Sequence, residues 1–178
     1  MTYSVLIALG SNLGDREWNL RRAIDALRSV IDVVRISTIM ETDPVDAPPG
    51  SPRFLNAVVA GATRLSPEDL LDAMLAIEVR LGRRRTTRNA PRVIDLDLIL
   101  HSAHLRRSRT LTLPHPRYRQ REFVLGPMRE LGLRWVDPAS ASPLIRPSGT
   151  FSPQAGRRTL MPQRPSPREA GRGWPKAG

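Results

Sequence analysis

Val93-Ile94-Asp95-Leu96-Asp97-Leu98-Ile99-Leu100 is an apolar run broken twice by aspartate. Its length and branched content read as a strand. Side chains alternate along a strand, so Asp95 and Asp97 share one face with Val93 and Ile99, while Ile94, Leu96, Leu98 and Leu100 take the other. Two carboxylates then stand about 7 Å apart, twice the ~3.3 Å rise per residue. Like charges at that spacing repel unless a cation lies between them, and hard divalent cations take oxygen ligands, typically one or two carboxylates plus substrate phosphates for magnesium. A polar, solvent-facing side of a sheet is the competing explanation.

Upstream, Gly82-Arg83-Arg84-Arg85-Thr86-Thr87-Arg88-Asn89-Ala90-Pro91-Arg92 carries five arginines into that strand. Guanidinium groups bind phosphate oxygens bidentately and stay charged, which suits phosphoryl chemistry, although an arginine run is also an ordinary solvated loop. Before it, Ser66-Pro67-Glu68-Asp69 has a capping serine, proline at the first helical position and early acids, so a helix starts there. Leu70, Met74, Ile77 and Leu81 form its buried stripe and Gly82 is placed to end it. Glu78, an acid in the last turn, runs against the helix dipole and invites a ligand or a nearby arginine.

Further out, Ser4 to Leu9 reads as a strand closing on the turn Gly10-Ser11-Asn12-Leu13-Gly14. Asp15 to Val30 has helical spacing of Leu20, Ala23, Ile24 and Leu27. Val33 to Met40 is a strand, the Pro-rich segment Asp43 to Pro52 a loop, and Phe54 to Thr63 a strand again. Phe54 and Asn56 share a face, a ring and an amide suited to stack on and hydrogen-bond a flat heterocycle, or equally to make a half-buried strand edge. Downstream lie short pieces at Leu111 to Leu113 and Phe123 to Met128, with His115 between prolines and Arg121 beyond it. The order strand, helix, strand, strand, helix, strand is the split βαβ pattern of an α+β domain with an antiparallel sheet and helices packed on it.

The chain has 178 residues, no cysteine and a net charge of +11. Lack of cysteine excludes a disulfide scaffold, a thiolate metal site and a cysteine nucleophile. No apolar run approaches the roughly 20 residues that span a bilayer, so a soluble, cytoplasmic protein without membrane contact is expected. Residues 1–144 form the expected folded domain. Residues 145–178 are rich in Pro, Gly, Ser and Arg, and such a composition is expected to stay disordered.

Taken in order, Ala8-Leu9-Gly10-Ser11-Asn12-Leu13-Gly14, Thr42 with Pro44 and Val45, Phe54-Leu55-Asn56-Ala57, the Gly82 to Arg92 loop, Asp95-Leu96-Asp97, and Leu113-Pro114-His115-Pro116 leading to Arg121 and Phe123 resemble the 6-hydroxymethyl-7,8-dihydropterin pyrophosphokinase family. The resemblance runs from Ser4 to about Pro138. It implies a ferredoxin-like core, a monomer, and pyrophosphate transfer from ATP to the pterin hydroxymethyl with release of AMP in folate biosynthesis. It also implies two Mg2+ ions on Asp95 and Asp97, with Asp95 near the pterin hydroxymethyl as well. Glu78, Arg83, Arg85, Arg92, His115 and Arg121 fall on ATP-binding positions, and Arg83 and Arg92 with the two aspartates on catalytic ones. Thr42, Pro44, Val45, Phe54, Asn56, Asp95 and Phe123 match the pterin pocket, where two rings sandwich the heterocycle. Asn89 stands where some members of that family place a tryptophan.

The split βαβ topology also serves basic RNA-binding modules. Those stack bases on aromatics in the central strands, whereas this strand presents Asp95 and Asp97, which repel phosphate. Nucleic acid is therefore not an expected partner. A metal-dependent nuclease using the same pair is excluded less firmly by the residues alone.

Overall fold

The computed structural model describes residues 1–45, 50–84, 90–102, 105–135 and 145–147. In chain order the elements are β1 (Tyr3–Ser11), α1 (Arg16–Leu27), β2 (Asp32–Ile36), β3 (Met40–Thr42), β4 (Phe54–Thr63), α2 (Pro67–Arg80), β5 (Asp95–His101), β6 (Arg106–Arg107), β7 (Thr112–Leu113), a 3-10 turn (Tyr118–Gln120), α3 (Glu122–Glu130), β8 (Leu133–Trp135) and β9 (Ile145–Pro147).

The main sheet has the order β2-β4-β1-β5, with β3 extending the edge beside the start of β4. Each neighbouring pair is antiparallel, so β1 and β2 run parallel with β4 inserted between them, the ferredoxin-like arrangement. Side chains alternate across β1, and both faces are covered. Val5, Ile7 and Leu9 pack under α1 and α2 with Leu20, Leu27, Leu70 and Met74. Leu6 and Ala8 face the other way, with Val58, Ile99, Tyr118 and α3's Val124 and Met128. Each fully buried leucine or isoleucine contributes roughly 1.5–3 kcal/mol on transfer scales, so two filled layers hold the sheet.

The helix ends follow the local chemistry. Asp15 caps α1 by accepting from the Trp18 amide at 3.1 Å, and Ser66 caps α2 from the Asp69 amide at 3.1 Å. At the far end of α2, Gly82 takes φ +96°, where a side chain would be strained. The Gly82 amide then donates to Val79 O and the Arg83 amide to Glu78 O, both at 3.0 Å, a Schellman closure.

Three expectations are corrected. The strand expected over Val33 to Met40 is two strands, β2 and β3. At the break the buried Ser37 Oγ accepts from the Val58 amide at 2.9 Å, while the Thr38 amide turns away to the Glu130 carboxylate at 2.9 Å. Phe123 to Met128 belongs to a full helix, α3, that covers the second face of the sheet. Leu100, placed on the face opposite Ile99 by simple alternation, packs in the same layer as Ile99. The cause is a bulge: Leu6 pairs with Leu100 but Ile7 pairs with Leu98, so Ile99 is the extra residue. Beyond the main sheet, β8 pairs with β9, so the expected tail opens with three residues in strand pairing; 148–178 lie outside the described residues.

Candidate active site

Register decides which face of the sheet carries chemistry. Asp95 lies opposite Gly10 and Asp97 opposite Ala8, and on the other side of β1 Gly10 lies opposite Asn56. Asp95, Asp97, Asn56 and Phe54 therefore share the face that α3 covers, at the end where α3 begins. A Cβ on Gly10 would meet Asn56 Oδ1 at 3.0 Å and the Phe54 ring at 3.5 Å. Glycine at this position lets the ring and the amide lie across β1 toward the aspartates.

Each aspartate is held by an arginine that also lies over an aromatic ring. Arg92 Nη1 donates to Asp95 at 3.0 Å, and its guanidinium carbon is 5.9 Å from the Phe54 ring centroid. Arg121 Nη1 donates to Asp97 at 2.8 Å and sits 5.5 Å from the Phe123 ring centroid. Both stacking distances lie within the ≈ 6 Å range of cation–π attraction. Asp95 also accepts from Arg83 Nη1 at 2.5 Å.

Behind Asp95, Glu78 is only 2% exposed. Its Oε1 accepts from the Leu96 amide at 2.7 Å and from Arg83. Burial pushes its carboxyl above the ordinary value; the Leu96 amide and Arg83 pull it back, and the Asp95 charge adds to the rise. For Arg83, burial opposes the charge, but Asp95 and Glu78 outweigh it and hold the guanidinium above its usual range. Of the two partners expected for this acid in the last turn of α2, a ligand or a nearby arginine, the structure shows the arginine: Glu78 is turned inward as a brace, and the Schellman closure brings Arg83 back over it.

His115 is anchored to β5 at the bulged residue. Ile99 O, off the regular ladder, accepts from the His115 amide at 3.0 Å. Nδ1 of the imidazole accepts from the Arg117 amide at 3.3 Å, which leaves the proton on Nε2. Burial lowers the pKa of this ring; Arg121 and Arg117 lower it further, against the pull of Asp97 and Asp95. Beside it a cleft of about 290 Å³ runs along the β5 edge, lined by Asp97, His115, Leu98, Leu111 and Thr112 among others.

The remaining expected residues fall as follows. Asn56 Nδ2 donates to Thr42 Oγ1 at 2.7 Å, bringing these two together. Pro44 is partly buried just beyond β3, while Val45 is 69% exposed. Arg85 and Asn89 lie outside the described residues. Two residues beyond the expected set join the site: Gly10, for the clearance above, and the buried Asn12, bonded to Arg92 and Pro52. Their signal is a Gly-Ser-Asn step ending a fully apolar strand, where a turn was the simpler reading.

Asp95 and Asp97, 24% and 33% exposed, offer only oxygen donors, a set that fits a hard cation. Among the described residues no group of three His, Cys, Asp or Glu stands together. The protein would thus supply two carboxylates and leave the other ligand positions to phosphate and water.

Comparison with known proteins gives the family and the fold. Residues 6–132 match the family described as 7,8-dihydro-6-hydroxymethylpterin-pyrophosphokinase (HPPK). The chain belongs to the HPPK family. A Bacillus subtilis 2-amino-4-hydroxy-6-hydroxymethyldihydropteridine pyrophosphokinase is 43% identical over 127 residues, 70% of this chain and 75% of that protein. A Pseudomonas aeruginosa protein of the same name is 40% identical over 133 residues, covering 74% and 82%. The mitochondrial folate synthesis bifunctional protein of Arabidopsis thaliana is 40% identical over 154 residues, 84% of this chain; the match spans only 28% of that longer relative. A crystal structure of an HPPK-DHPS in complex with substrates superposes with a TM-score of 0.55 at 12% identity, over 74% of this chain and 40% of that one, a likeness of fold. The HPPK reaction moves pyrophosphate from ATP to 6-hydroxymethyl-7,8-dihydropterin in folate synthesis. No helix among the described residues is long and apolar enough to cross a membrane.

Proposed function

We propose that this chain carries out the HPPK reaction on ATP and 6-hydroxymethyl-7,8-dihydropterin at the face shared by Asp95, Asp97, Phe54 and Phe123, as a Mg2+-dependent enzyme working as a monomer in the cytoplasm. What supports this reading most is the doubled unit on β5, an aspartate, an arginine and a ring on each side. It combines cation-binding oxygens, phosphate-binding guanidiniums and flat apolar surfaces within one cluster.

The pterin lies against Phe54 and Phe123, its polar edge read by Asn56, with Thr42, Pro44 and Val45 bordering the pocket. ATP occupies the other side, its nucleoside in the cleft beside His115 and Thr112, its phosphates toward Arg83, Arg85, Arg92 and Arg121. Glu78 contributes by bracing Arg83. The pterin hydroxyl attacks the β-phosphorus in line; the new O–P bond forms as the bond from that phosphorus to the AMP phosphate oxygen breaks, AMP leaves with that electron pair, the hydroxyl proton passes to solvent, and no covalent enzyme intermediate is needed. Arg92 and Arg83 exchange aspartate for phosphate oxygens and meet the charge that develops on the transferring group. Two Mg2+ ions held by Asp95 and Asp97 would supply neutralisation of the triphosphate. The neutral His115, with its proton on Nε2, donates toward a phosphate or ribose oxygen.

The test is AMP formation from Mg-ATP with and without the pterin, with chelator as control. Pterin-dependent AMP that chelator abolishes is expected. Undiminished AMP under chelator would remove the metal from the proposal, and no AMP would remove the activity.

A further inference from the structure

Asn12 closes the turn after β1, a place where asparagine is ordinarily exposed, yet it is 2% exposed. Every polar group described for it is engaged with the chain segments on either side. Its amide N–H donates to Arg92 O at 3.1 Å, its Oδ1 accepts from the Arg92 amide at 2.7 Å, and its Nδ2 donates to Pro52 O at 3.2 Å. The Arg92 backbone is thus gripped at both its N–H and its C=O. Pro52 has no N–H, so its carbonyl is its sole backbone handle, while the next residue toward Phe54, Arg53, is held separately through its own carbonyl by Arg16 Nη1 at 2.8 Å. In front of Asn12, the Arg92 guanidinium reaches Asp95 at 3.0 Å and lies over the Phe54 ring.

One side chain therefore ties together the backbones that carry a phosphate-side arginine and a pterin-side ring. A guanidinium on a long flexible stem reaches a fixed point only if its own Cα is fixed. We propose that Asn12 is a positioning residue for the reaction: by holding Arg92 and Pro52 to the end of β1 it sets where the Arg92 guanidinium stands relative to Phe54 and Asp95. This rests on the function proposed above and adds to it a residue that touches neither substrate.

The full chain carrying Asn12→Ala, Arg92→Ala or both is assayed for kcat and for each KM. Misplacing a catalytic group by about 1 Å costs on the order of 10²-fold. Asn12→Ala is therefore expected to lower kcat by about that factor, with each KM changed by less than about 3-fold because ground-state contacts stay in place. Since Asn12 acts through Arg92, the double variant is expected to be no slower than Arg92→Ala alone. A merely structural role would instead give multiplied losses, and that outcome overturns the inference. Asn12→Asp keeps the acceptor for the Arg92 amide and drops the donor to Pro52. It guards against an alanine variant that does not fold and is expected to lose about 10-fold in kcat, again with no added loss in the Arg92→Ala background. Wild-type rates in both Asn12 variants overturn the inference. A wild-type chain that forms no AMP overturns it together with the proposed function, whereas normal AMP with an additive cycle overturns it alone.

Discussion

Asp95 accepts from Arg83 and Arg92 and backs onto the buried Glu78, whereas Asp97, two residues along the same strand, accepts from Arg121 and borders an open cleft beside His115. The two carboxylates are equivalent by strand alternation and unequal by surroundings. On the Asp95 side the ion pairs run inward, through Arg83 to Glu78 and the Leu96 amide. On the Asp97 side they run outward, to a residue just ahead of α3 and to the β5 edge. A pair of acids at i and i+2 therefore need not share one task. Asp95 belongs to a frame braced from behind by Glu78, and Asp97 to a wall that borders the cleft.

Removing each acid in turn separates the two sides most strongly. If both hold cations, Asp97→Ala and Asp95→Ala each lose about 10³-fold in kcat, the scale of several kcal/mol of charge stabilisation. Only Asp95→Ala should also lower the thermal midpoint, since it strips a partner from both Arg83 and Arg92. Pterin affinity, measured by calorimetry, should stay within a few-fold in Asp97→Ala. Normal turnover in Asp97→Ala would end its metal assignment; equal midpoints would end the distinction between frame and wall.

Next come the arginines over the rings. Arg92→Ala is expected to lose about 10²- to 10³-fold in kcat with little change in ATP affinity, the signature of an interaction made mainly in the transition state. Arg121→Ala, on the open side, should instead raise the KM for ATP. Exchange of these two patterns would reverse the roles assigned to the two sides.

A smaller effect tests the brace itself. Glu78→Ala orphans the Leu96 amide, a loss of about 1–3 kcal/mol in urea unfolding. Glu78→Gln keeps an acceptor and should recover much of it. Burial holds the Glu78 carboxyl above its ordinary value, so relative to the unfolded chain the group favours the fold most below the ordinary carboxyl pKa. That advantage is lost as pH rises through the ordinary value toward the raised one. Glu78→Gln should remove this downward trend.

These contrasts also mark what the sequence allowed to be read. Alternation in Ile94 to Leu98 and the helix signals at Ser66 and Gly82 are local, and each lies in the structure where its pattern puts it. The split of β2 from β3 depends on Glu130, more than ninety residues from the Thr38 it binds. No window around Thr38 contains that partner. The bulge at Ile99 is likewise a property of the β1–β5 pairing, invisible in either strand alone, and it decides the face of Leu100. Residue types at the site were legible from motif order, but the direction of Glu78, inward to a backbone amide, was not. An acid in a last turn reads the same whether its ligand is a phosphate-bound cation or its own chain.

His115 provides the finest comparison, because its shift has a sense opposite in consequence to that of Glu78. Burial and the flanking Arg121 and Arg117 favour the neutral ring, and the Arg117 amide occupies the Nδ1 lone pair that a second proton would need. In the unfolded chain the ring protonates near its ordinary value of about 6.5. Between that value and the lowered one the unfolded chain therefore binds more protons, and stability falls on acidification by at most about 1.4 kcal/mol per pH unit. Above about 6.5 the contribution is complete. Subtracting the urea-unfolding curve of His115→Gln from that of the wild type isolates this slope from the other histidines. A difference that grows on acidification below neutrality is expected, together with an NMR titration in which this ring protonates only below its ordinary value. A flat difference, or a ring that protonates above its ordinary value, would mean that Asp97 and Asp95 outweigh burial there. The open side would then be a cationic wall at neutral pH rather than a neutral donor facing the phosphates.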